Sequence, residues 1–163
     1  MTQMFSVPTD AVHVVVDDTL AYGKQELETG GFLMAPVGSD SIDGVALAGD
    51  SGILRRSGLF QISERALDRL FAYSDERELW LPIQFHSHQF EAGMSRTDAL
   101  HGLRVEGFIS TIVPRFTEPP ADVSQWGWWQ FRNGAWQSRP PAAVQHSPLT
   151  RVVVFDEDGI RER

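Results

Sequence analysis

His86-Ser87-His88 and, ten residues further on, Asp98 form the stretch with the most chemical potential in this 163-residue chain. Two histidines at i and i+2 of an extended segment project from the same side of it, close enough to share one metal ion. Asp98 returns on the first turn of a helix that opens at Ser95-Arg96-Thr97-Asp98 and offers a third ligand. Two imidazoles and a carboxylate, one ligand short of a tetrahedron, are the donor set of a catalytic zinc and not of a closed structural one. Each half of the pattern is common alone. A His-x-His pair is often just two strand-end residues, and Ser-x-x-Asp is an ordinary helix cap. Their conjunction after an apolar strand is far more specific. The other histidines are weaker candidates: His13 reads as part of a strand, His101 as a surface or buttressing residue of the helix after Asp98, and His146 as part of a linker.

A second piece lies far upstream, Glu28-Thr29-Gly30-Gly31-Phe32-Leu33, where a glutamate at a helix end precedes glycines that let the chain turn into a buried strand. Together the two pieces resemble the JAMM motif of the JAB/MPN metalloisopeptidase family, and the small size resembles its prokaryotic branch. The resemblance spans about residues 10–138. It implies that His86, His88 and Asp98 bind zinc with a water in the fourth position. It implies that Glu28 is general base and then general acid, and that Ser95 hydrogen-bonds the oxyanion. The residues support these roles. Zinc lowers the pKa of bound water from 15.7 to about 7. Amide cleavage also needs a proton moved to the leaving amine, which a carboxylate can do, and a second donor for the oxyanion, which a serine hydroxyl can supply. Two departures fall in the connecting loop. Six residues, Gln89 to Met94, separate His88 from Ser95 where the family usually has seven, and Gln89 stands where the family often has proline. The loop shape is expected to change with the site intact. Asp98, on a helix turn, is expected to be the ligand and not Glu91, on a glycine-containing loop.

The chain contains no cysteine, which excludes disulfides, thiolate zinc fingers, iron–sulfur clusters and a thiol nucleophile. A net charge of −8 argues against a nucleic-acid backbone or an anionic membrane as partner. No stretch approaches a membrane span. The N-terminal residues lack a basic region followed by an apolar run, so a cytoplasmic protein is expected.

One α/β domain is expected, a mixed sheet flanked by two or three helices. Its metallopeptidase part is placed at 1–138, with 139–163 a Pro/Ala-rich linker and a C-terminal strand packed on or beside it. Strands are expected at 13–16, 32–35, 45–48, 79–85, 107–113 and 152–155, with an extended segment within 52–62. Helices are expected at 20–27 behind an Asp17-Asp18-Thr19 cap, at 64–78, and at 95–103. Asn133-Gly134, flanked by Trp126, Trp128, Trp129 and Trp136, predicts a hairpin packed on the sheet. The same tryptophans would alternatively wall a substrate groove. Arg55-Arg56 reads as a solvated pair, Glu26 as surface, and the segments 49–58 and 114–125 as cleft walls. The tail after Phe155 is expected to fray.

By resemblance, the substrate is a ubiquitin-like protein or its conjugate, cut after its C-terminal tail in deconjugation or precursor processing. Some relatives lie in antiphage operons with conjugating enzymes. The alternatives are a sulfur-carrier-processing peptidase, a non-catalytic MPN scaffold, and an unrelated zinc hydrolase of small amides. The presence of all five motif positions argues against a scaffold.

Overall fold

The computed structural model describes residues 3–163, except for the side chains of residues 100 and 101. The expectation for the His101 side chain therefore falls outside the described residues.

The elements in chain order are β1 (Ser6–Pro8), α1 (Thr9–Gly23), β2 (Gly30–Pro36), β3 (Gly44–Ala48), β4 (Ile53–Arg56), β5 (Leu59–Ile62), α2 (Glu64–Glu76), β6 (Leu79–Ser87), α3 (Arg96–His101), β7 (Ile109–Val113), β8 (Gly127–Arg132), β9 (Ala135–Ser138), β10 (Ala143–Gln145), β11 (Arg151–Asp156) and β12 (Gly159–Glu162). A single 3-10 turn, Val123–Gln125, interrupts the loop before β8. Eight strands form one mixed sheet in the order β12-β11-β3-β2-β6-β7-β8-β9. β1 pairs with β10, and β4 with β5, as two small ribbons.

Alternation along the strands divides the core in two. Leu33, Val45, Leu47, Ile83, Phe85 and Ile109 face α1, with its Val12 and Val15. Phe32, Met34, Ala46, Val153 and Phe155 face α2, with its Leu70 and Tyr73. The result is a three-layer α/β domain. The candidate site lies on the α2 side, because His86 follows Phe85 and must point the other way.

Three local expectations fail. The valines at 14–16 belong to α1 and not to a strand, and His13 is an exposed helix residue. β-branched propensity is weak beside a buried stripe, and Ala11, Val12, Val15, Thr19 and Gly23 form one. Asp17 and Asp18 consequently lie inside the helix and cap nothing. Pro8 precedes the first turn, where its fixed φ suits a helix start. Within the Pro/Ala-rich segment 139–148, Ala143–Gln145 runs parallel to Ser6–Pro8. The tail does not fray. β12 pairs with β11, and the Arg161 guanidinium grips the buried Asp156 carboxylate at 2.7 and 3.1 Å. β11 itself lies within the main sheet, parallel to β3.

Candidate metal centre

β6 delivers His86 at its end, and the extended chain beyond it delivers His88, whose backbone N–H donates to the Val113 carbonyl of β7 at 2.9 Å. Gly30 of β2 lies opposite His86. A Cβ at Gly30 would come 2.5 Å from the Phe85 carbonyl and 2.6 Å from the Phe60 ring, so only glycine lets β2 pass this close. Asp98 arrives on the first turn of α3. A reciprocal cap fixes that turn: Asp98 N–H donates to Ser95 Oγ, and Ser95 N–H donates to Asp98 Oδ2, both at 3.0 Å.

The donors converge. His86 Nε2 lies 3.1 Å from His88 Nε2 and 3.3 Å from Asp98 Oδ1, and His88 Nε2 lies 3.0 Å from Asp98 Oδ2. Zinc bonds of 2.0–2.1 Å at tetrahedral angles separate their ligands by about 3.3 Å, so the spacing fits such an ion. The chemistry fits as well. His88 Nδ1 lies 3.0 Å from the Glu91 carbonyl, which only accepts, so Nδ1 carries the hydrogen. In the neutral ring the Nε2 lone pair then points at an acceptor-only carboxylate. A cation, either a proton or a metal ion, is needed between them. An outer partner that sets the histidine tautomer is a usual companion of metal ligation.

Burial pushes the Asp98 carboxyl pKa up, but the His86 and His88 rings and the Ser95 N–H more than reverse this and hold it well below the usual carboxylate range. Burial also pushes His88 down, and Asp98 and Glu28 outweigh that and raise it.

Glu28 is 5 % exposed and is not part of the three-donor group. It follows the turn at 24–26 and not a helix end; Glu26 is indeed exposed there. Burial drives the Glu28 pKa up to about 7, opposed by His88 and reinforced by Asp98. A carboxyl that titrates near neutrality beside a metal-ligand cluster is suited to moving protons. Its backbone is pinned on both sides. Glu28 N–H donates to the Arg56 carbonyl at 2.9 Å, while Thr29 N–H donates to Ser87 Oγ and Ser87 N–H to the Thr29 carbonyl, each at 2.9 Å. Ser87 lies between the two histidines, so the glutamate and the ligands share one scaffold.

Arg55 overturns the reading of a solvated pair. Its side chain is 7 % exposed. The guanidinium donates to the Gly49 and Ala48 carbonyls at 2.6 Å each and to Thr29 Oγ1 at 3.3 Å, and it lies 3.9 Å over the Tyr22 ring. Arg56 alone is exposed. The sequence gives no periodic sign of this, because β4 alternates over only four residues.

The shortened loop leaves the Glu91 carboxylate exposed and uses only its carbonyl. The Ala92 carbonyl sits against Gly127 of β8 so closely that any Cβ there would collide with it. Three of the four tryptophans are structural. Trp126 and Trp128 stack within the core, and Trp136 Nε1 donates to the Ala99 carbonyl of α3 at 3.3 Å. None lines the cavity beside the cluster, whose walls come instead from β5, α2 and α3. Neither segment 49–58 nor 114–125 borders that cavity. The first supplies Arg55 and Arg56 behind Glu28 instead.

No helix among the described residues is long and apolar enough to cross a membrane. No protein-family model matches the sequence, and no curated protein matches it. Solved structures match the fold. A protein from Desulfitobacterium hafniense is 12 % identical, with a TM-score of 0.66 over 89 % of this chain and 95 % of that one. A protein from Salinibacter ruber is 24 % identical, with a TM-score of 0.55 over 86 % and 91 %. A JAB1/MPN domain protein from Archaeoglobus fulgidus is 14 % identical, with a TM-score of 0.50 over 88 % and 99 %. The chain has an MPN-like fold, with a His-His-Asp group on it that can hold a metal ion.

Proposed function

We propose that the protein is a zinc-dependent peptidase that cleaves the amide or isopeptide bond after the C-terminal tail of a ubiquitin-like protein. The observation that carries the reading is geometric: three donors spaced for one ion, with the buried Glu28 carboxyl beside them. A zinc ion held by His86, His88 and Asp98 would supply a Lewis acid and bring the pKa of water to about 7. The rest falls to this chain's residues. Glu28 takes a proton from the attacking water on its carboxylate and returns it to the leaving amine nitrogen. Ser95 Oγ accepts one bond from Asp98 N–H, which leaves its own hydrogen free to donate to the carbonyl oxygen as negative charge develops there. Ubiquitin-like tails commonly end in glycines, and an extended tail of this kind can bind by strand addition.

The reading is tested with a peptide ending in Gly-Gly joined by an amide to a fluorescent amine, and with a ubiquitin-like protein fused to a reporter. Cleavage after the terminal glycine, abolished by a strong chelator and restored by one equivalent of zinc, supports it. Cleavage indifferent to chelation, or none by zinc-loaded protein, rejects it.

A further inference from the structure

Two residues before His86 on the same face of β6 stands Gln84. In register beside it on β7 stands Ser110, and on β2 Phe32. At about 3.3 Å of rise per residue, Gln84 lies roughly 7 Å along the strand from His86. These side chains form the floor of a cavity of about 250 Å³ whose walls mix apolar Phe60, Ile62, Leu67 and Leu103 with polar Gln61 and Thr97, and with His86 and Asp98 at its edge.

The floor is polar where the rest of this layer is apolar. Ser110 is 8 % exposed, and Gln84 is half-buried. Neither the carboxamide nor the hydroxyl has a hydrogen-bond partner among the described residues, although both border the cavity. Their neighbours behave differently. Gln130 donates to the Gly107 carbonyl and Thr111 to the Gly127 carbonyl, both at 2.9 Å. Both groups therefore face the cavity, open to water or to a ligand, and a donor–acceptor pair beside a metal-ligand cluster is the kind of polar feature that orients a bound side chain.

We propose that this cavity is a side-chain subsite, and that it takes one neutral hydrogen-bonding side chain with an apolar stem, best matched by glutamine, from a substrate residue near the bond cleaved. The proposal rests on the hydrolase reading for the word substrate but not for the binding. A carboxamide can form two antiparallel N–H···O bonds with the Gln84 carboxamide, and Ser110 can serve the remaining donor or acceptor. An aliphatic side chain would leave both groups stranded, and sites built to hydrogen-bond reject such analogues strongly. A carboxylate would meet the Asp98 carboxylate at the edge of the cavity and be repelled by it.

Binding is read without catalysis by following the Gln84 side-chain amide resonance of ¹⁵N-labelled protein, identified by its loss in Gln84→Leu. N-acetyl-glutamine methylamide is expected to shift it saturably, with and without zinc, and N-acetyl-leucine methylamide to bind about 10-fold more weakly. Ser110→Ala should weaken the glutamine probe in the same assay. In cleavage of fluorogenic peptides with one varied residue, kcat/KM should favour glutamine over leucine by about 10-fold, and Gln84→Leu should erase or invert that preference. An unmoved Gln84 resonance, or a preference unchanged by both variants, overturns the proposal. A shifted resonance with no peptide cleaved supports the subsite and rejects the hydrolase reading.

Discussion

The hydroxyl oxygen of Ser95 accepts the backbone N–H of Asp98 at 3.0 Å, so the residue expected to hold the oxyanion is also the cap that holds a metal ligand in place. The two tasks use different parts of one hydroxyl. They separate experimentally through Ser95→Gly, because glycine replaces a serine cap at a cost of only a few tenths of a kcal/mol, whereas alanine costs about 1 kcal/mol. Zinc affinity and Tm should stay near wild type in Ser95→Gly while kcat falls about 10²–10³-fold. A variant that keeps its kcat assigns Ser95 to capping alone.

Glu28→Gln should lose about 10²–10⁴-fold in kcat while still binding one zinc, because the carboxyl moves protons and is not a ligand. Metal analysis beside turnover checks both halves. Loss of zinc with activity would make Glu28 a ligand.

The same substitution has a pH signature in chelated protein. The native pKa of Glu28 is raised from 4.5 to about 7. A group raised on folding contributes its stability fully below the unfolded value and loses it as pH rises through the native one. Glu28→Gln should therefore stabilise the metal-free fold at pH 8 by at most about 3 kcal/mol, and by little at pH 4.5. Urea denaturation at the two pH values reads the difference, and an equal effect at both would remove the burial argument.

Arg55→Met should destabilise the protein by about 2–4 kcal/mol, since it strands the Ala48 and Gly49 carbonyls that now accept from a buried guanidinium. Arg55→Lys should rescue little, because one ammonium cannot reproduce the planar fork. Full rescue by lysine in thermal unfolding would mean that charge, not geometry, is what the site uses.

Gly127→Ala should weaken zinc binding by about 10–100-fold with the ligands untouched. The added methyl drives off the Ala92 carbonyl, and with it the loop whose Glu91 carbonyl sets the His88 tautomer. Unchanged zinc affinity would show that the loop tolerates the displacement.

The candidate site was legible in the sequence because its spacing is local. His86, His88, Ser95 and Asp98 span thirteen residues, and an apolar strand and a capping pattern place them. Asp98 and not Glu91 meets the histidines, as a helix turn requires. The supports were hidden because they depend on long-range packing. Arg55 reaches across from a hairpin, Gly127 yields to a loop 35 positions earlier, and Gln84 becomes notable only once β7 sets Ser110 beside it on the floor of a cavity next to the cluster. The fold class followed from alternating strands and helices. The valines of α1 misled because three β-branched residues in a row look alike in either state, and only packing shows that Val15 alone points fully inward.

Zinc titration of chelated protein, monitored calorimetrically, tests the central claim most directly. Wild-type protein and Glu91→Ala should each bind one equivalent, while His88→Ala and Asp98→Ala should lose most of the affinity. Binding retained by Asp98→Ala and lost by Glu91→Ala, or no stoichiometric binding by the wild type, would contradict the account.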